Sequence, residues 1–316
     1  LAGPSDFIPI GVTVNRTYTI AQTGGSGYTA TLRLHYEDIE LNGNDEAELE
    51  MWVFDGGVWA DSSKTSYNST DHYVEKIGLS DITTRWTLLA PILGILDWNG
   101  SISSTWEDSS NWTTVSGSPT KPPTATEVVR FGFTAFTNNP TVTDPATVRS
   151  FHMGSAQAVT VTLSGGDVTV KGSTGNLGGY FTSDITHTLN VNGQTLDIGG
   201  NLTLCDGTVD RRINITVGSG TVIVRGDLNH LGNSSISLSG AGNIIVKGNW
   251  NIGGLASFSA GTSTATYDGS GSQIVAGGIT YNNLTFNKSG GEATLNTETA
   301  VNGNLTLSTE GTFQVN

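Results

Sequence analysis

The sequence predicts an all-β protein, with an antiparallel β-sandwich at the N-terminus followed by a β-solenoid repeat domain (parallel β-helix-like). Three observations support this fold class. The 316 residues include 42 glycines, and only 13% are charged, which is about half the usual share. Thr, Ser, Asn and Gly supply most of the polar residues, and these favour strands and tight turns over helices. Apolar and polar residues alternate in short runs, and a Gly-Asn pattern recurs in the second half.

Residues 1–90 have the pattern of a β-sandwich module. Apolar and polar residues alternate in 28–36 and 49–54, which is typical of half-buried strands. Asn-Gly at 42–43 and Gly-Gly at 56–57 are turn signals. Several strands at short spacing, separated by such turns, indicate a small antiparallel sandwich. The candidate core residues are Trp52, Trp59 and Trp86.

The sequence pattern of residues 91–125 predicts a junction followed by a cap for the solenoid. They are rich in Trp and loop-forming residues, as in 97–100 and 106–112. A repeat stack needs a terminal cap because an open end exposes apolar side chains and unpaired backbone. The apolar run 88–96 is interrupted by Pro91 and is shorter than the ~20 residues of a transmembrane helix. We therefore expect no membrane insertion.

Residues 126–316 predict a β-solenoid. Five short stretches look alike, and their aligned positions 201, 227, 249, 283 and 304 lie 26, 22, 34 and 21 residues apart (227−201, 249−227, 283−249, 304−283). A recurrence in this range, built from short strands and Gly-Asn turns, is typical of stacked repeats that bury a continuous apolar interior. The longest step predicts an extra loop or hairpin around 268–272. The Thr positions are expected not to recur in register from turn to turn, so we expect Thr residues to face outward as ordinary strand residues.

Several stretches resemble known secreted proteins. Residues 15–20, 28–34, 36–41 and 86–88 resemble a β-sandwich module of large secreted surface proteins common in Bacteroidota and related bacteria. The second domain resembles the β-helix repeats of bacterial adhesins and autotransporter-like surface proteins. The resemblance implies an extracellular, cell-surface location and a structural or adhesive role. It provides no catalytic motif that can be transferred, because fold alone does not define function.

The charge balance excludes some partners. The chain has 28 acidic and 14 basic residues and a formal charge of −14. Nucleic-acid binding needs clustered Lys and Arg, so we expect neither nucleic acid nor anionic lipid as a partner. The single cysteine, Cys205, cannot form an intrachain disulfide. It lies in an alternating run, where we expect it to pack in the core.

We expect the protein not to be an enzyme, with a carbohydrate-binding or polysaccharide-cleaving β-helix as the alternative. The one dense charged cluster, 206–212, includes Asp210 and Arg211, which are candidates for a catalytic groove. A solvated turn is the competing interpretation. Exposed aromatics such as Tyr180 and Phe181 are candidates for stacking on sugar rings.

No cofactor is expected, apart from a candidate calcium loop. Residues 42–46, Asn-Gly-Asn-Asp-Glu, together with Glu48, are rich in oxygen ligands. They lack the ordered pattern of an EF-hand loop, and a polar turn is the default explanation, since Asn, Asp and Gly favour turns with or without a metal. None of the five histidines is paired with another at ligand spacing, so the sequence does not support zinc.

We expect the chain to self-associate head to tail into a filament, through β-strand addition or solenoid stacking. The last stretch, 304–316, has a strand pattern whose inward apolar residues would be exposed on an open turn. An extended apolar stretch near the N-terminus is suited to adding a strand to a neighbouring sheet edge, and a contact that does not close generates a fibre. The competing explanation is a longer repeat protein whose next module covers this edge. The candidate interface residues are Phe7, Ile8, Ile10, Leu305, Leu307, Phe313 and Val315.

Overall fold

The computed structural model describes residues 13–24, 27–41, 44, 46–55, 58–90, 94–172, 185–205, 211–253, 255–307 and 312–315. The chain divides into two compact units, Leu1–Ile92 and Leu93–Asn316. The predicted fold class is confirmed: antiparallel sheets form the first unit, and the second contains a β-solenoid of about 8 turns. Among the described residues, no helix is long and apolar enough to cross a membrane.

The first unit consists of two antiparallel sheets and two short 3₁₀ helices, Asp38–Glu40 and Glu46–Glu48. Its strands are β1 (Thr13–Thr19), β2 (Ala30–His35), β3 (Glu50–Asp55), β4 (Val58–Asp61), β5 (Ser66–Asn68), β6 (Tyr73–Leu79) and β7 (Arg85–Leu89). The sheet orders are β1-β7-β3-β4 and β2-β6-β5, and both sheets contribute side chains to one core. As predicted, Trp86 is buried in this core. The same prediction is wrong for Trp52 and Trp59, which are only half-buried, because the strand alternation points Met51 inward instead.

The second unit opens with strands β8 (Gly94–Trp98), β9 (Trp112–Gly117) and β10 (Glu127–Phe131), with a 3₁₀ helix at Ser109–Asn111. The strands that follow are β11 (Thr141–Val142), β12 (Ala146–Val148), β13 (Ser150–Met153), β14 (Thr160–Leu163), β15 (Val168–Val170), β16 (Ile185–Asn190), β17 (Thr195–Ile198), β18 (Leu202–Thr203), β19 (Arg211–Thr216), β20 (Thr221–Val224), β21 (Leu228–His230) and β22 (Ser235–Ser237). The last are β23 (Asn243–Val246), β24 (Trp250–Ile252), β25 (Ser257–Ser259), β26 (Thr264–Tyr267), β27 (Gln273–Val275), β28 (Thr280–Tyr281), β29 (Asn283–Phe286), β30 (Glu292–Leu295), β31 (Ala300–Val301), β32 (Leu305–Leu307) and β33 (Thr312–Val315).

Each solenoid turn contributes strands to three parallel faces. Face 1 is β11-β14-β16-β19-β22-β25, followed by the pair β28-β31, and face 2 is β12-β15-β17-β20-β23-β26-β29-β32. Face 3 begins with the parallel strands β8-β10-β13 and continues with β18-β21-β24 and then β27-β30-β33. Inward residues stack in columns: Leu196, Val222 and Ile244 are in register on face 2 and almost fully buried. Stacking is what buries them, since one turn alone leaves them exposed.

A polar ladder links three of the predicted repeat positions. The side-chain oxygen of Asn201 accepts a hydrogen bond from the backbone N–H of Asp227 at 2.7 Å, and Asp227 accepts one from Asn249 at 2.7 Å. Asn249 in turn accepts one from the N–H of Ile274 at 2.8 Å. These side chains satisfy backbone donors at a corner where the sheet pairing is interrupted. The repeated Asn and Asp residues therefore hold successive turns together.

The other two repeat positions lie on a different face. Asn283 begins a face 2 strand, and its side-chain oxygen accepts from the N–H of Asn304 at 3.0 Å. Aligning these two residues with the first three is therefore wrong, and so is the extra loop expected at 268–272. That segment is the corner between β26 and β27 of a normal turn. The Asn-Leu-Thr pattern fits any strand whose central leucine points into the solenoid, so it occurs on face 2 as well as on face 3.

The expectation that Thr residues lack register is also wrong on face 1. One outward column places small hydroxyl and amide side chains directly above one another. Its members are Thr141, Thr162, Asn190, Thr216, Ser237 and Ser259. The turns differ in length, so the register is invisible as a fixed sequence interval.

Three tryptophans close the first turn of the solenoid. Trp98, Trp106 and Trp112 are at most 2% exposed, and the Trp112 ring meets the other two edge-on at 5.1 and 4.8 Å. The Trp98 indole N–H donates to the carbonyl of Asn138 at 2.7 Å. Strand β9 pairs antiparallel with β8, and residues 104–106 pair with Thr141 at the start of face 1. The first turn therefore has its interior and two of its edges covered.

Candidate functional site

The last described turn differs from the first because its strands are paired on one side only. Strands β31, β32 and β33 each form the final strand of a sheet among the described residues. Their partners in the preceding turn are β28, β29 and β30. Such edges present a row of unpaired backbone N–H and C=O groups. This end of the solenoid is therefore able to receive another strand on each face.

The candidate interface residues of this turn are apolar and largely exposed. Leu305, Leu307 and Val315 are 50%, 60% and 65% exposed. Phe313 is half-buried and packs against Phe286 with ring centroids 4.6 Å apart. The remaining candidates, Phe7, Ile8 and Ile10, lie outside the described residues.

The exposed leucines continue buried columns of the core. Leu305 is in register with Leu284, and Leu307 with Phe286, and both of these partners are at least 96% buried. Leu305 and Leu307 thus point along the same inward direction, and no further turn covers them among the described residues. Beside them lies a groove of about 370 Å³. Its lining is formed by Leu284, Leu295, Glu298, Thr299, Val301, Leu305, Phe313 and Val315.

Most of the residues considered for carbohydrate chemistry lie outside the described part of the chain. Residues 206–210, which include Asp210, lie outside the described part of the chain, as do Tyr180 and Phe181. Arg211 and Arg212 are half-buried at the start of β19 on face 1. The catalytic groove at this cluster stays a prediction. Cys205 is buried, in agreement with its expected place in the core.

A serine–histidine pair in the second unit was missed by the sequence reasoning. The Ser150 hydroxyl and the Nε2 atom of His152 are 2.9 Å apart, and burial, followed by the charge of Arg130, lowers the pKa of His152 to about 4. Arg130 makes two hydrogen bonds to Asp97, at 2.6 and 2.9 Å, so this carboxylate is held by the guanidinium. Ser150 is only 3% exposed. The group joins β8, β10 and β13 and is structural.

The candidate calcium loop is divided by the fold. The Asn44 side chain is buried, donates to the carbonyl of Leu41 at 2.6 Å, and accepts from the N–H of Ala90 at 3.3 Å. Glu48 is half-buried, whereas residues 42, 43 and 45 lie outside the described part. Glu46 faces His72, with Oε1 2.9 Å from Nδ1. The loop therefore directs one of its described oxygen ligands towards a histidine that is distant in sequence.

The chain matches no protein-family model, and no curated protein or solved structure is significantly similar to it.

Proposed function

We propose that the protein is a structural or adhesive component of an extracellular surface that self-associates through the open last turn of its solenoid. The observation that carries this proposal is the exposure of Leu305, Leu307 and Val315 at 50% or more beside unpaired strand edges. A matching turn from a second molecule would continue the three sheets and cover these side chains.

The unequal ends of the solenoid favour a symmetric contact. The first turn is closed by the tryptophan cluster and by the antiparallel strand β9, so an incoming last turn does not meet an open turn there. Two last turns present the same edges and the same apolar side chains to each other. Such an isologous contact closes as a two-fold dimer. We therefore propose tail-to-tail pairing in place of the head-to-tail filament that the sequence analysis predicts.

The expected affinity is modest. Burying a whole Leu or Val side chain contributes about 1.5–3 kcal/mol, and about half of each of the three side chains is still exposed. Six side chains in a dimer then contribute roughly 6 kcal/mol, which only offsets the cost of association, about 4 kcal/mol or more. Strand pairing at the edges adds to this. A dissociation constant on the order of micromolar, about 8 kcal/mol net, therefore requires this pairing to contribute roughly 6 kcal/mol, or about six backbone hydrogen bonds at ~1 kcal/mol each.

Analytical ultracentrifugation across a range of protein concentrations tests the proposal. We expect a monomer–dimer equilibrium that Leu307→Lys abolishes, because the dimer would bury an unpaired ammonium group. The matched control is Leu255→Lys, since Leu255 is a similarly exposed leucine, at 67%, away from the last turn. A parent protein that stays monomeric well above micromolar concentration, or equal dimerisation of both variants, would refute the proposal.

A further inference from the structure

We propose that the first unit contains a binding site for a divalent transition-metal ion of the zinc class, formed by Asp38, Glu46 and His72. One ligand atom from each residue lies within 4.8 Å of the other two. The Nδ1 atom of His72 is 2.9 Å from Oε1 of Glu46 and 3.3 Å from Oδ1 of Asp38. Zinc bonds of about 2.0–2.1 Å in a tetrahedral site place ligand atoms roughly 3.3 Å apart. The two sides that meet at His72 are therefore close to the spacing of ligand atoms around one such ion.

The charges of the three groups also favour a cation. The Nδ1 atom carries at most one proton and can donate one hydrogen bond, yet carboxylates from Asp38 and Glu46 both face it. Two carboxylates that share a site repel each other. A divalent ion neutralises both charges and satisfies both oxygens, while His72 coordinates through an unprotonated nitrogen.

A buried hydroxyl provides an independent indication of a ligand. Tyr36 is only 3% exposed, and its ring meets the His72 imidazole edge-on at 5.9 Å. At ordinary hydrogen-bond geometry its oxygen has no partner in the described part of the chain. Burial, then the charge of Glu46 and a hydrogen-bonding interaction with its carboxylate, and then the charge of Asp38 raise the pKa of Tyr36, so the hydroxyl lies beside the Glu46 side of the cluster. Buried hydroxyls normally have a partner, and a water on the bound ion supplies one.

The position of the site gives the ion a structural role. Glu46 lies in the 3₁₀ helix that leads into β3, whereas His72 lies between β5 and β6, so the two residues belong to segments of different sheets. His72 has φ +51° although it is not glycine. The Asp38 and His72 side chains are 77% and 39% exposed, which leaves the site open to ions from solvent. A bound ion would join the two sheets at one end of the sandwich.

The donor set selects the type of metal. Calcium takes six to eight oxygen ligands, whereas one imidazole nitrogen with two carboxylate oxygens suits zinc and similar ions. We therefore expect zinc to bind here in preference to the calcium suggested by the loop sequence. This inference does not depend on the proposed self-association.

Isothermal titration of the intact, EDTA-treated and dialysed chain with zinc chloride tests the site. We expect saturable binding of one ion per chain, weakened at least about tenfold, or 1.4 kcal/mol, by Glu46→Gln and by His72→Gln. The matched control is Glu48→Gln, which changes a half-buried acid of the same 3₁₀ helix outside the triangle. We expect this variant to bind zinc like the parent, and calcium chloride to produce no comparable binding.

A second measurement guards against misfolded variants. Zinc should raise the thermal unfolding midpoint of the first unit in the parent and in Glu48→Gln, because it binds only the folded state. It should not do so in Glu46→Gln, whose circular dichroism without metal should match the parent. Absence of saturable zinc binding to the parent, or equal binding by Glu46→Gln and Glu48→Gln, overturns the proposal.

Discussion

Replacing Asn111 with alanine should destabilise the second unit by about 2–3 kcal/mol. Asn111 is completely buried in the cap of the solenoid. Its side-chain oxygen accepts from the N–H groups of Ile102 and Ser103 at 3.1 and 3.2 Å. Its amide donates to the Ser103 hydroxyl at 3.0 Å and to the Thr105 carbonyl at 2.8 Å. Four hydrogen bonds at about 1 kcal/mol each set an upper value of roughly 4 kcal/mol. Water can replace part of this, since Ile102 is 66% exposed.

Urea unfolding monitored by tryptophan fluorescence measures this effect, because three tryptophans lie in the same cap. The control is Asn99→Ala in the same region. Asn99 is half-buried and its side chain makes two exposed hydrogen bonds, to Thr113 and Ser101, so we expect a loss below about 1 kcal/mol. If Asn111→Ala lowers the free energy of unfolding no more than Asn99→Ala does, the assignment of Asn111 as the central hydrogen-bonding residue of the cap is refuted.

Two further predictions concern buried cationic or titratable groups. Burial lowers the pKa of His152, His187 and His230 to about 4, so the unfolded chain binds protons first as pH falls. The free energy of unfolding should be greatest above pH ~6.5 and should decline towards pH ~4, by up to roughly 3 kcal/mol per histidine. His187→Gln should flatten this decline. Urea midpoints that do not change between pH 7 and pH 5 would contradict the prediction. Lys288 is 1% exposed and donates to two backbone carbonyls and one glutamine oxygen at 2.8–3.0 Å, so Lys288→Met should cost about 2–4 kcal/mol. The control is Lys247→Met, which removes a partly exposed ion pair and should change the free energy of unfolding by less than about 1 kcal/mol. If urea unfolding shows equal losses for the two variants, the buried hydrogen bonds of Lys288 do not contribute to stability.

The strands could be predicted because side-chain alternation is a local property. A run such as 243–246 places Ile244 and Val246 inward, and period-two hydrophobicity encodes this without reference to the rest of the chain. Gly and Asn at corners are similarly local signals. The all-β class, the sandwich and the solenoid therefore follow from sequence patterns alone.

The face to which each strand belongs could not be predicted in this way. It depends on the summed lengths of all preceding strands and corners, which vary from turn to turn. This is why Asn249 and Asn283 share a motif but lie on different faces, and why the hydroxyl column of face 1 is hidden in the sequence. The local pattern determines whether a side chain points into or out of the solenoid, whereas only the complete solenoid determines which residues stack on one another.

The sequence by itself determined the all-β architecture and identified Leu305, Leu307, Phe313 and Val315 as apolar residues of a terminal strand pattern. Only the tertiary structure decided that the first turn has its interior and two of its edges covered, while the last described turn is open among the described residues. It also decided the cluster of Asp38, Glu46 and His72, whose members lie 8 and 26 residues apart (46−38 and 72−46). No local pattern encodes such a meeting, because side chains from different loops converge only when two sheets pack face to face.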